Sequence, residues 1–187
     1  MRTFKLQVQM TVDGYMAGPN GEMDWMTFPW TDDISGYITA LTEPVDRIVL
    51  GRKLAEGFIP HWASQPEGES QEGIDKINNT PKVVISNSLT ESPWENAVVA
   101  GGDLAETVND LKAQPGGDII AYGGGTLVSS LIAEGLVDEL HLFVNPTAIG
   151  AGMPVFGTPD TYRRFTTVAS RTFDCGITAL HLEPKRS

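Results

Sequence analysis

The chain has 187 residues and a formal net charge of -11, from 13 Lys and Arg against 24 Asp and Glu. That length holds one domain with a full core, and the acidic balance excludes nucleic acid and acidic membrane surfaces as partners, since both need a basic face. The lone cysteine, Cys175, excludes an internal disulfide framework and a multi-cysteine zinc site.

No apolar run reaches the roughly 20 residues that cross a bilayer. Met1 to Lys5 leads directly into a strand pattern with no signal peptide, so a cytoplasmic location is expected. Phe4, Leu6, Val8 and Met10 alternate with Lys5, Gln7 and Gln9, the period of a half-buried strand. Val12-Asp13-Gly14 reads as a turn, and a Gly/Pro/Asn-rich loop follows through Gly21. A helix is expected from Thr31 or Asp32, with Ile34, Tyr37, Ile38 and Leu41 on one face and Pro44 closing it.

Arg47 to Gly51 reads as a buried strand, and the polar stretch from Glu56 to Gly73 as a mobile surface loop carrying His61-Trp62. Lys82 to Ser86 and Ala97 to Ala100 read as strands. Asp103-Leu104-Ala105-Glu106 opens a helix that runs to about Gln114. Asp118 to Tyr122 is a strand, and Thr126 to Glu134 a helix with Gly135 as its C-terminal cap. The strands Glu139 to Val144, Phe165 to Phe173 and Ile177 to Leu182 complete the chain, the last two joined by a turn at Asp174-Cys175-Gly176. Strands alternating with helices give an α/β fold, a mostly parallel sheet flanked by helices and ending in an antiparallel hairpin.

Gly123-Gly124-Gly125-Thr126, between a strand and a helix, admits two readings. It is either a tight turn with no ligand, or an anion site in which glycines let the helix-start N–H groups approach a phosphate. It matches neither G-x-G-x-x-G, which needs glycine where Val128 stands, nor a P-loop, which needs Gly-Lys-Ser/Thr. A second anion-friendly strand end is Leu50-Gly51-Arg52-Lys53, and a third is Ser86-Asn87-Ser88. Ligands of open α/β sheets bind at the carboxyl ends of strands.

Taken in order, Thr11 to Pro19, Leu50 to Lys53, Val84 to Ser88 and Ile120 to Gly125 resemble the dihydrofolate reductase-like superfamily. They resemble most its branch related to the reductase domain of riboflavin biosynthesis, as do Val137 to Leu140, Pro146 and Gly150 to Pro154. The resemblance implies an NADPH-dependent reductase of a small heterocycle, of the phosphoribosylaminouracil reductase type, acting as a homodimer. The alternatives are a dihydrofolate reductase and a non-catalytic nucleotide-binding module.

In that comparison Arg52, beside Gly51 and Lys53, binds the cofactor's 2′-phosphate with help from Ser86 and Asn87. Gly123, Gly124, Gly125, Thr126 and Leu127 hold the pyrophosphate, and Met16, Ala17 and Gly18 lie against the nicotinamide. The resemblance further implies a catalytic carboxylate shortly after a tryptophan. Asp33, after Trp30, is the best match, although Trp30 and Asp33 stand closer together than in that pattern. The competing reading makes Asp32 and Asp33 an acidic first helical turn. If Asp33 is catalytic, burial raises its pKa.

Gln9, Trp25 and Trp30 are the candidate substrate contacts, and Arg47 and Lys5 the basic residues available for a ribose-phosphate tail. The chain departs from the riboflavin enzymes in lacking a threonine soon after Arg52 and a His–Arg pair on the first helix. His61, His141 and His181 show no metal-ligand spacing, so no metal is expected.

Overall fold

The computed structural model describes residues 1–158 and 162–185. Its elements, in chain order, are β1 (Phe4–Thr11), β2 (Tyr15–Ala17), α1 (Asp32–Thr42), β3 (Val45–Gly51), α2 (Arg52–Ala63), α3 (Gln71–Asn79), β4 (Lys82–Ile85) and β5 (Ala97–Ala100). These are followed by α4 (Leu104–Ala113), β6 (Asp118–Tyr122), α5 (Gly125–Ala133), β7 (Glu139–Asn145), β8 (Met153–Pro154), β9 (Phe165–Thr172) and β10 (Thr178–Pro184). Eight strands form one sheet in the order β5-β4-β3-β6-β1-β7-β10-β9, and β2 pairs with β8 apart from it. The pairings from β5 across to β7 are parallel, while β10 runs antiparallel to both β7 and β9.

Helices cover both faces. On one, Val108 and Leu111 of α4 and Val128, Leu131 and Ile132 of α5 pack on Phe4, Leu6, Val8, Val49, Ala121, Leu140 and Leu142. On the other, Ile34 and Leu41 of α1 pack on Phe143, Phe173 and Ala179, and Ala55 of α2 packs on Ile48, Leu50, Val84 and Ile120. The expected α/β architecture with its terminal hairpin is the one observed.

Three sequence expectations need correction. The alternation in β1 does not expose one face to water: Lys5, Gln7 and Thr11 are buried along with the apolar residues. Strand β1 is central, so its polar residues face a second interior beneath α1. Lys5 Nζ is accordingly 2.7 Å from Asp118 and donates to the carbonyl of Leu41.

The stretch from Glu56 to Gly73 is not a single loop, because α2 runs on to Ala63 and α3 begins at Gln71. Leu54, Ala55, Phe58 and Ile59 form a stripe at helical spacing that packs on β3 and β4, which polar composition concealed. Pro60 sits near the end of α2, where it removes a single intrahelical bond. His61-Trp62 therefore belongs to a helix, where Trp62 packs against Phe58 at 6.0 Å and its carbonyl accepts from Asn78. Finally, the loop after β1 contains β2, which is too short to announce itself by periodicity.

Leu131 is fully buried between α5 and the sheet. Leu131→Ala is expected to cost about 2–5 kcal/mol, the range for a truncated core leucine, read as a lower urea midpoint with an unchanged slope.

Candidate active site

Parallel strands place their carboxyl ends on one edge of the sheet, and the predicted phosphate-binding segments all lie there. Gly51 closes β3 and is in register with Ile85 of β4, so Ser86 and Asn87 emerge beside Arg52. Across the next strand, a Cβ at Gly51 would meet Leu127 of α5 at 3.4 Å, and one at Gly124 would meet Leu54 of α2 at 3.3 Å. The two strand-to-helix turns are thus packed on one another, and glycine keeps the contact at Gly124 free of crowding. A Cβ at Gly125 would in turn meet the sulfur of Met153 at 3.6 Å, and Met153 pairs with Ala17. A Cβ at Gly152 would collide with the carbonyl oxygen of Ala17. Asn87, Gly51, Gly124, Met153 and Ala17 therefore follow one another along a continuous rim.

The helix starts on this rim differ from the others. Ser70 and Asp103 cap α3 and α4 with side-chain oxygens, accepting from Gly73 N and Glu106 N, and each helix has a glutamate in its first turn. Helix α1 opens on Asp32 and Asp33. Helices α2 and α5 have neither a side-chain cap nor an acid in the first turn, and α2 instead begins with Arg52 and Lys53. A cation at a helix N-terminus opposes the macrodipole. An anion bound there would answer both the dipole and the unused N–H groups. Arg52 is held meanwhile by Glu56, one turn on, at 2.6 Å on the half-exposed surface, a pairing worth only about 0.3–0.5 kcal/mol.

Ser86 and Asn87 also shape the rim itself. The Ser86 hydroxyl oxygen accepts from Ser88 N and Leu89 N, and Asn87 Oδ1 accepts from Gly102 N at 2.7 Å. The Ser86 and Ser88 hydroxyls are 3.2 Å apart and share one proton between them, which leaves the Asn87 amide nitrogen and one serine hydroxyl proton as groups able to meet a phosphate.

The substrate candidates divide. Gln9 Oε1 accepts from Asn145 Nδ2 at 2.9 Å, while Gln9 Nε2 is buried without a partner. Trp30 stacks on Phe28 at 5.6 Å, joins the cluster around Phe143, and has an equally unpartnered buried Nε1. Gln9 is the cross-strand neighbour of Phe143, so both lone donors border the same apolar group. Trp25 is buried and its N–H is spent on the carbonyl of Glu22, which makes it a plug for its own loop. Asn145, fully buried, was not anticipated; its Oδ1 accepts from Thr27 N and ties that loop to β7. Only the strand pairing reveals it.

Asp33 differs from the sequence expectation. Its carboxylate accepts from the Thr31 hydroxyl at 2.5 Å, from Ile34 N at 2.9 Å and from Asp174 N at 3.0 Å. The Thr31 hydrogen bond is the main cause that holds its pKa below the ordinary 3.8, so the raised pKa of a buried acid is not what this site imposes. It clamps the start of α1 to the β9–β10 turn. Lys5 and Arg47 likewise lie toward the amino ends of their strands, in register with Glu139 and Ile119 rather than on the rim.

The structure also gathers residues that the sequence left apart. His141 and His181 stand opposite each other on β7 and β10, with Glu139 beside them.

The model of the RibD C-terminal domain matches residues 2–179. The chain belongs to the RibD C-terminal domain family. YyaP of Bacillus subtilis, an uncharacterized relative, is 30% identical over 94% of this chain and 92% of its own length. A protein of Shewanella sp. PV-4, provisionally assigned to riboflavin biosynthesis, has a similar structure with a TM-score of 0.79. It is 24% identical and matches 98% of this chain and 99% of its own. Dihydrofolate reductase from Enterococcus faecalis, solved with NADP(H), has a TM-score of 0.64 at 15% identity, over 98% of this chain and 97% of its own. At those identities the structural matches establish the dihydrofolate reductase-like fold of this RibD-family chain. Among the described residues no helix is long and apolar enough to cross a membrane.

A carboxylate whose pKa is lowered on folding stabilises the protein above its unfolded pKa, and that contribution disappears as pH falls through the folded value. Asp33→Asn is therefore expected to lower stability at pH 7 and to flatten its loss below about pH 4. Urea unfolding at several pH values measures both effects; an unchanged acid limb would remove the clamp assignment.

Proposed function

We propose that this chain is an NADPH-dependent reductase of a small heterocyclic substrate, of the 5-amino-6-(5-phosphoribosylamino)uracil reductase type, acting in the cytoplasm. The observation that carries the reading is the pair of uncapped, acid-free helix starts packed together on the rim, one of them bearing Arg52 and Lys53. A dinucleotide with a 2′-phosphate presents two anionic groups, and the rim offers two places for them.

Gly123, Gly124, Gly125, Thr126 and Leu127 would hold the pyrophosphate against the start of α5. Arg52 would leave Glu56 for the 2′-phosphate, with Lys53, Ser86 and Asn87 beside it; a guanidinium donates a planar pair of bonds to a phosphate. Met16, Ala17 and Gly18, buried and fixed through β8, would form the wall against the nicotinamide. NADPH, when bound, would supply a hydride, that is two electrons with one proton, to the substrate. The lone donors Gln9 Nε2 and Trp30 Nε1 suit the carbonyl or ring-nitrogen acceptors of a pyrimidine or pterin.

Asp33, held ionised by its hydrogen bonds, is a poor proton donor at neutral pH, which disfavours the dihydrofolate reductase reading. Lys5 and Arg47 lie too far toward the amino ends to serve a phosphate tail on the rim. The heterocycle is thus the part of the substrate that the site supports best. The outer strand β9, exposed along nearly its whole length, with Val168 half exposed, suits the proposed homodimer contact.

Titration of NADPH and NADH by fluorescence tests the reading. NADPH is expected to bind more tightly, and Arg52→Ala to weaken NADPH by about one to two decades while leaving NADH unchanged, the value of a charge-assisted bond of roughly 1.5–3 kcal/mol. Equal loss for both dinucleotides, or binding of neither, overturns the assignment.

A further inference from the structure

The cluster Glu139, His141 and His181 lies near the start of β7 and the middle of β10, level with Gln7 of β1 and one step along that strand from Gln9, and the proposed reductase assigns it no role. His141 and His181 are directly opposed on the antiparallel strands β7 and β10. Glu139, two residues before His141, projects from the same face of β7. Glu139 Oε2 is 3.0 Å from His141 Nε2 and 3.6 Å from His181 Nε2, and one ligand atom from each residue lies within 4.8 Å of the other two. The imidazole rings stack at 4.3 Å.

We infer that these three residues bind one divalent transition-metal ion of the zinc class, which fastens the C-terminal hairpin to the central sheet. Three observations converge on it. First, a tetrahedral ion with ligand bonds of about 2.0–2.2 Å places its ligand atoms roughly 3.3–3.5 Å apart. The two Glu139 distances, 3.0 and 3.6 Å, bracket that spacing, and rotation of the stacked rings would bring both lone pairs to one ion.

Second, His181 Nε2 and His141 Nδ1 are buried with no hydrogen-bond partner. The 3.6 Å gap to Glu139 is too long for a hydrogen bond, and a bound ion would occupy it. Third, a histidine that ligates through one nitrogen donates the proton on the other to a nearby acceptor. Gln7 is the cross-strand neighbour of His141 on β1, and its Oε1 is likewise a buried acceptor without a partner. Metal at His141 Nε2 leaves the proton on Nδ1, for which Gln7 Oε1 on the neighbouring strand is the candidate acceptor.

Charge is compatible with a cation. Lys5, near the cluster, is committed to Asp118 at 2.7 Å, and Glu183 adds a second negative charge near His181. Two imidazoles favour zinc, cobalt or nickel over magnesium or calcium. Three protein ligands leave a fourth position for water on the side where Glu139 is partly exposed.

The test uses the full chain, stripped with a chelator and titrated with Co²⁺ and then Zn²⁺. The expected result is a visible cobalt absorption band saturating at one equivalent and bleached by Zn²⁺, together with a rise in Tm with Zn²⁺ that Mg²⁺ does not reproduce. His181→Gln and Glu139→Gln should each abolish the band and the Tm shift, and Gln7→Ala should weaken Co²⁺ binding roughly 10–100-fold. His61→Gln, on α2, should change neither. Circular dichroism establishes that each variant is folded, and Glu139→Gln decides the matter if His181→Gln does not fold. Absence of the band, an equal response to Mg²⁺, or binding that survives both ligand substitutions overturns the site.

Discussion

A central strand with one apolar and one polar face, both buried, sets the rest of this structure. Phe4, Leu6, Val8 and Met10 of β1 enter the core under α4 and α5, while Lys5, Gln7, Gln9 and Thr11 point the other way into an equally closed layer. A buried polar group is costly unless it is paired, so three of these side chains dictate a neighbour. Lys5 takes Asp118 of β6 and the carbonyl that ends α1, Gln9 takes Asn145 of β7, and the Thr11 hydroxyl accepts from Tyr15 N to start β2. The placement of α1, the pairing of β7 and the course of the first loop all follow from satisfying one strand.

The same accounting clarifies the electrostatics of a chain with net charge -11. Several of its cations have structural duties. Arg2 pairs with Asp46 and Lys112 with Asp138, Lys76 donates to the carbonyls of Glu43 and Val45, and Lys82 donates to the carbonyls that end α3. Arg52 and Lys53 stand apart, in the first turn of a helix whose dipole opposes them, with a single surface carboxylate for company. Stability alone would favour an acid there, as in α1, α3 and α4. The exception falls where the phosphate argument needs it, beside the glycine turn of α5.

What the sequence made legible was local. The strand and helix periods, the Asp103 cap, the Gly135 stop and the hairpin at Gly176 depend on neighbours in the chain, and all were readable. The strand ends at Gly51, Ser86 and Gly123 were readable for the same reason, and parallel pairing then brought them to one edge. What escaped was set by partners far away. Helix α2 looked like a loop because its apolar stripe is narrow and most of the segment is polar. Asn145 has meaning only through Gln9 and Thr27, each more than a hundred residues away. Asp33 accepts from the amide of Asp174, far along the chain, a partner that no local motif announces.

The unsatisfied atoms sharpen the division of the polar layer. A buried group left unpaired costs about 1–3 kcal/mol, so a fold keeps few of them without reason. Apart from Arg47 Nε on β3, those among the described residues fall into two groups. Gln9 Nε2 and Trp30 Nε1, both donors, flank the apolar group around Phe143, whereas Gln7 Oε1, His141 Nδ1 and His181 Nε2 gather around the paired histidines. Donors without acceptors suit a ligand rich in carbonyl oxygens, and ring nitrogens converging on a carboxylate suit a cation. Because Gln7 and Gln9 are adjacent on the same face of β1, a single strand carries the boundary between the two sites. Its register with β7 is then the constraint on which both depend.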